Sequence, residues 1–303
     1  MWSMLAIIAS VVVPPTTFHL LSWPFSLSLL LVTTTSLVIA LTLAWYLTPP
    51  LPSSPSWSPS ELRHASPLIE LAEGLWMVEG TNAYPLPRNM FVFALPSGGL
   101  LVYSVVALDE DGMRALDLLG PVQIMVVPSP QHTHDAARYQ ARYPRMVTLC
   151  ASQAVQALIA RGIAVTDTFD SSLLLEAAGI SVLHVPGLSS WMASERVLVV
   201  PFAGGRSKAL LFCDLVFNLL PHQCSSITRL LGSGPFFGPT RILRWFGVSD
   251  RASLRAFFIE MSYMKNISAL LMTHGTPYLR LNRIDSDIYP TPGEVMMEAA
   301  ARI

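Results

Sequence analysis

Hydrophobic positions along this chain fall into three regimes. From Phe25 to Leu47, FSLSLLLVTTTSLVIALTLAWYL, the run is unbroken: 23 residues without a charge. A helix of that length crosses a hydrocarbon core. Trp45 and Tyr46 close it, where amphipathic rings prefer the interface. Met1 to Val13 is a shorter apolar run stopped by Pro14 and Pro15. It lacks the basic start and small-residue cleavage site of a signal peptide. Residues 1–47 are therefore expected to form an uncleaved membrane anchor of one or two passes. Thr48 to Pro67, TPPLPSSPSWSPSELRHASP, reads as a partly stiff linker, because its prolines and serines resist helix and sheet.

Past Leu68 the pattern alternates between periods of two and of three to four. Leu71–Gly80 predicts an edge or hairpin strand, and Met90–Ala94 and Leu100–Val106 flank a PSGG turn. Asp109–Leu119 predicts a helix with acids in its first turn, Val122–Val127 a strand, and His134–Tyr143 a weak helix. Met146–Leu149 predicts a strand and Ser152–Arg161 a helix ended by Gly162. Strands follow at Ser181–Val185, Arg196–Val200, Ala209–Cys213 and Ser268–Met272, with a helix at Arg251–Met264. In Thr291-Pro292-Gly293-Glu294 an N-cap, an N1 proline and an N3 glutamate stand in order before a short helix. Strands first, then alternating strands and helices, then strands again predict a mixed α/β domain over 68–284 and a C-terminal tail over 285–303.

Composition sharpens this. No Asp, Glu, Lys or Arg precedes Glu61, so all 19 basic and 20 acidic residues lie in 61–303. No dense basic run occurs, which argues against a nucleic-acid partner. Cys150, Cys213 and Cys224 are too few and too widely spaced for a disulfide framework. Reduced thiols favour a membrane protein whose globular domain faces the cytosol. The sequence leaves the oligomeric state open.

Four polar stretches sit directly after predicted strands: QHTHD at 131–135, VPGL at 185–188, CDLVFN at 213–218 and THGTP at 273–277. Strand ends of an open α/β sheet converge on one crevice. Histidines at i and i+2 on a loop can reach one ion, imidazole suits zinc, and a carboxylate balances the charge.

Five segments, AEGLWMVEG, LVYSVVALDEDGMRALDLLGPVQIMVVPS, AARYQARYP, KALLFCDLVFN and LMTHGTP, resemble in content and order the metallo-β-lactamase superfamily. They are more specifically similar to a branch of it with a degenerate metal-binding motif. The resemblance covers about Leu68 to Tyr278 and implies an αβ/βα sandwich. The family's H-x-H-x-D-H motif reads His132-Thr133-His134-Asp135-Ala136-Ala137 here. Two histidines match; the aspartate and last histidine positions hold alanine. The histidine of the family's P-G-H turn is replaced by Leu188. The family's bridging aspartate matches Asp214, and its late histidine matches His274.

The resemblance thus implies one zinc ion held by His132, His134, Asp214 and His274, with Asp135 or Asp214 as the base toward a metal-bound water. Equally open is a metal-free relic in which these side chains hydrogen-bond one another. Function divides accordingly. One reading is a degenerate metal-dependent hydrolase of a small apolar or ester-like substrate. The other is a non-catalytic binding or assembly module at a membrane. His222 and Cys224 are candidate replacement ligands, whereas His184 and Cys213 are expected to point away from the site. Leu230, Leu231, Phe236, Phe237, Trp245 and Phe246, with Arg229, Arg241 and Arg244, could form an apolar lid, a membrane-facing patch or ordinary packing.

Overall fold

The structure, a computed structural model, describes residues 57, 62, 66–80, 87–224, 229, 234, 236–280 and 290–303. The expected anchor, most of the linker, and Leu230 and Leu231 lie outside the described residues. Among the described residues no helix is long and apolar enough to cross a membrane.

Two sheets carry the domain. The first has seven strands in chain order: β1 (Ile69–Ala72), β2 (Leu75–Gly80), β3 (Arg88–Ala94), β4 (Leu100–Tyr103), β5 (Val122–Val126), β6 (Val147–Cys150) and β7 (Asp167–Thr168). Pairing is antiparallel from β1 to β4 and parallel from β4 to β7. The stretch 71–80 is a hairpin, and Gly74, at φ 74°, makes its turn. Parallel neighbours need crossovers. These are α1 (Glu110–Leu119) between β4 and β5, α2 (Ala136–Arg142) between β5 and β6, and α3 (Val155–Ile159) between β6 and β7. Asp109 caps α1 by accepting from the Gly112 amide, as its sequence predicts. The helix expected over Ser152–Arg161 opens as a 3₁₀ turn at Ser152–Ala154, which leaves α3 only five residues.

After the short α4 (Leu173–Ala177), the chain builds the second sheet from β8 (Ser181–His184), β9 (Arg196–Phe202) and β10 (Ser207–Phe212). A two-stranded ribbon follows, β11 (Phe217–Asn218) with β12 (Phe237–Gly238). Next come α5 (Arg251–Ser262), β13 (Ile267–Met272), β14 (Tyr278–Leu279) and α6 (Pro292–Ala301). The sheet order is β14-β13-β10-β9-β8, with only β10 and β13 parallel.

Strand alternation sorts the core into three layers. Leu75, Phe91, Phe93, Leu101 and Val126 of the first sheet meet Leu198, Val200, Leu211 and Leu271 of the second. The opposite face of the first sheet packs on Met113 and Leu116 of α1, Tyr139 of α2 and Leu158 of α3. The opposite face of the second sheet packs on Leu254, Phe258 and Met261 of α5 and on Val295, Met296 and Ala299 of α6. Helix, sheet, sheet, helix is the αβ/βα sandwich. Thr291 and Glu294 complete the capping box of α6, which places its apolar side on α5 and β13.

Candidate metal centre

The strand ends of both sheets deliver the polar side chains. After Tyr103 the chain turns out of β4 at Ser104, whose φ of 55° is left-handed. This aims the Ser104 hydroxyl at His132 Nδ1, 2.9 Å away. His132 itself follows β5, held by its amide bond to the Ser129 carbonyl. Asp214 follows β10, and its amide donates to the buried Glu195 Oε1 at 3.3 Å. His274 follows β13. Asn89 of β3 pins that turn by donating to the carbonyls of Met272 and Gly275. A Cβ on Gly275 would stand 2.2 Å from the Asn218 carbonyl oxygen, so only glycine permits this approach.

Asp214 Oδ1 is the meeting point. His132 Nε2 lies 3.4 Å from it and His274 Nε2 lies 3.1 Å from it. His274 Nδ1 is 2.8 Å from the Pro87 carbonyl, which can only accept, so this nitrogen carries the hydrogen. In the neutral ring, Nε2 then turns a lone pair toward a carboxylate oxygen. Two acceptors face each other unless a proton or a cation lies with them. A ring whose Nδ1–H is held by a carbonyl is the arrangement that presents Nε2 to a metal. The spacing fits as well. With bonds of about 2.0–2.2 Å, the edge of a tetrahedral zinc site is about 3.4 Å.

Cys213 also belongs here, against expectation. Its Sγ, His132 and Asp214 offer donor atoms that all lie within 4.8 Å of one another. Nitrogen, oxygen and sulfur together are a zinc-type donor set. His274 touches Asp214 but lies outside that group, and the remaining expected residues divide. His134 is half-buried and is not in that group; burial first, then Arg88, lowers its pKa. Asp135 is buried and committed: its Oδ2 is ion-paired with Arg88, and its Oδ1 accepts from Trp57 Nε1 at 3.1 Å. His184 lies 3.1 Å from Asp170 at the surface. Leu188 bridges Val248 in antiparallel fashion. His222 is exposed, and Cys224 is buried outside the metal-capable group.

Electrostatics separates two carboxyls. Burial alone would raise Asp214, but His132 and His274 pull it well below the ordinary range, so it is ionised. Glu195 is pushed well above its ordinary value, first by burial and then by the Asp214 charge, so it is neutral. Burial lowers the pKa of His132, against the pull of Asp214, which keeps the ring neutral at neutral pH. Glu195 Oε2 and the Tyr103 hydroxyl are buried without a partner among the described residues. Neither residue announced itself in the sequence. Glu195 reads as a surface charge before an apolar strand, and Tyr103 reads as core.

Comparison with solved structures fits this architecture. The chain is similar to a metallo-β-lactamase from Erythrobacter litoralis, at 12% identity and a TM-score of 0.50, covering 78% of this chain and 96% of that one. It is similar to VMB-1 at 11% identity and a TM-score of 0.51, covering 80% and 98%. A metallo-β-lactamase from Hirschia baltica gives 12% and 0.50, covering 78% and 97%. No family model and no curated protein matches the sequence. The domain has the metallo-β-lactamase fold, and at these identities the likeness concerns the fold alone.

Proposed function

We propose that this protein is a metal-dependent hydrolase with a single-ion site, held at a membrane by residues 1–47 with its domain on the cytosolic side. The observation that carries the reading is Asp214 Oδ1 flanked at 3.4 and 3.1 Å by two ring nitrogens, one of which presents a lone pair whenever its ring is neutral. His132, Cys213 and Asp214 would hold zinc, with His274, against the same carboxylate oxygen, as a further donor. A bound zinc ion lowers the pKa of its water and polarises a scissile carbonyl.

The chain's own residues do the rest. Ser104 and the Pro87 carbonyl fix the two imidazole rings. Asp214, its side chain 23% exposed, is the carboxylate open to solvent, and an oxygen not bound to the ion would be placed to accept a proton from the attacking water. Asp135 is excluded from that role by Arg88 and Trp57. Phe217, its ring centre 4.7 Å from that of His274 at a tilt of 44°, gives the crevice an apolar wall, which suits a small apolar or ester-like substrate.

A second reading is a non-catalytic binding or assembly module with a metal-free site. Ala136, Ala137 and Leu188 favour it, because they stand where the family pattern has ligands. Elemental analysis of the full chain purified without added metal decides between them. Near-stoichiometric zinc, absent from a His132→Ala/His274→Ala variant and accompanied by hydrolysis of short-chain esters, supports the hydrolase. No bound metal after zinc supplementation eliminates it.

A further inference from the structure

One face of the domain combines exposed rings with positive charge that meets no carboxylate among the described residues. Trp191, Trp245 and Phe246 are 52%, 61% and 66% exposed. They form one patch: the Trp191 indole and the Ser189 hydroxyl both donate to the Phe246 carbonyl, at 2.9 and 3.0 Å. Trp191 stands on a 3₁₀ turn, Ser190–Met192, and Trp245 and Phe246 on a π-helical turn, Leu243–Gly247, that no sequence signal announced. Such a turn widens the helix and splays successive side chains, so Trp245 and Phe246 both point outward.

Arg241 lies over the Trp245 ring, 5.6 Å from its centre. Arg251 donates to the Arg244 carbonyl, and Arg244 donates to the Arg302 carbonyl. The charges acting on Arg244 are those of Arg241, Arg251 and Arg302. Among the described residues, Arg241, Arg244 and Arg251 have no carboxylate partner. The nearby acids are committed elsewhere: Asp250 caps α5 and Glu298 pairs with Arg302. Three guanidinium groups held together without counter-charge beside three exposed aromatics are complementary to an anionic, apolar surface.

We infer that this face docks on an anionic bilayer. Trp191, Trp245 and Phe246 would enter the interface while Arg241, Arg244 and Arg251 meet lipid phosphates and carboxylates. The inference rests on the membrane placement proposed above and adds an orientation to it. The linker of 20 residues reaches about 60 Å if extended as polyproline II, enough to let the domain turn this face to the lipid. One neighbouring segment braces the patch. Trp191 and Ser189 adjoin the Pro186-Gly187-Leu188 turn, and the Gly187 carbonyl accepts from the Ser249 and Asp250 amides.

The test uses the full chain carrying a nitroxide at Phe246→Cys, mixed with vesicles of phosphatidylcholine alone or with added phosphatidylserine. Flotation reports attachment, and collision of the nitroxide with oxygen or with a water-soluble nickel chelate reports depth. The expected result is flotation with both vesicle types and an oxygen-rich, nickel-shielded nitroxide only with phosphatidylserine. Arg241→Gln should shift the docked-to-free ratio about fivefold toward free, and high salt should lower it further. A nitroxide that stays aqueous on floated phosphatidylserine vesicles overturns docking and leaves anchoring intact. A chain that floats with neither vesicle type overturns both.

Discussion

The 131–135 loop feeds two polar clusters that solve the same problem in opposite ways. On one side His132 and His274 surround the Asp214 carboxylate. On the other, Asp135 is met by the Arg88 guanidinium and the Trp57 indole. The second cluster carries its cation covalently. Asp135 sits against the Arg88 guanidinium, and each of its oxygens has a donor. The first has no built-in cation, and its Asp214–His274 contact wants one. The lesson is that two carboxylates fed by one loop can be met differently: one by a fixed ion pair, the other by two ring nitrogens.

That contrast predicts unequal costs. Arg88→Met should be the most damaging single change, about 3–5 kcal/mol, because it strands a buried carboxylate. Removing both charges in Arg88→Met/Asp135→Leu should recover most of the loss, since an apolar pair of similar volume often replaces a buried ion pair. Denaturant unfolding of both variants measures this. If the double variant is no more stable than the single, Arg88 acts through something other than Asp135.

The same chelation or supplementation should act on the first cluster alone. Zinc at a hundred times its dissociation constant should stabilise the protein by about 2.7 kcal/mol. It should do nothing for His274→Ala. An equal response of the two proteins in a thermal melt would place the ion elsewhere.

The sandwich was legible because its signals are local. The acidic first turn of α1, the Thr291–Glu294 box of α6 and the apolar runs of β5, β9, β10 and β13 each declare themselves within a few residues. The strand-end positions of His132, Asp214 and His274 were legible for the same reason, once the strands were placed. What the sequence hid is set by tertiary neighbours. Arg88 finds Asp135 across 47 residues. Glu195 lies under Asp214 only because β9 pairs with β10. Cys213, adjacent to Asp214, was expected to face the other way by strict alternation. β10 ends at Phe212, so the alternation does not extend through Cys213.

Glu195 offers a test of smaller size, made on metal-free protein. Its folded pKa lies well above the unfolded value of about 4.3. Between those two values the unfolded chain has released a proton that the folded chain keeps. Stability therefore falls as pH rises, by about 1.4 kcal/mol per pH unit from this group. Glu195→Gln removes the dependence. Its advantage over the parent should be absent below pH 4 and grow above about pH 5. A stability difference that does not change with pH would mean Glu195 is ionised in the fold, and that Asp214 is not the only charge beneath the two rings.

The smallest effect separates strain from hydrogen bonding at Ser104. Its hydroxyl holds His132 Nδ1, yet its backbone sits at φ 55°, which L-residues other than glycine adopt at a cost of about 1–2 kcal/mol. Ser104→Ala keeps the strain and loses the bond, so it should cost about 1 kcal/mol. Ser104→Gly loses the same bond but relieves the strain, so it should come out near neutral. Both variants free the His132 ring and should weaken zinc binding about 10–100-fold, as loss of a ligand-orienting partner does. Equal zinc affinity in parent and variants, by competition with a chelator, would show that the Ser104 contact supports the turn alone and leaves His132 without an orienting partner from the first sheet.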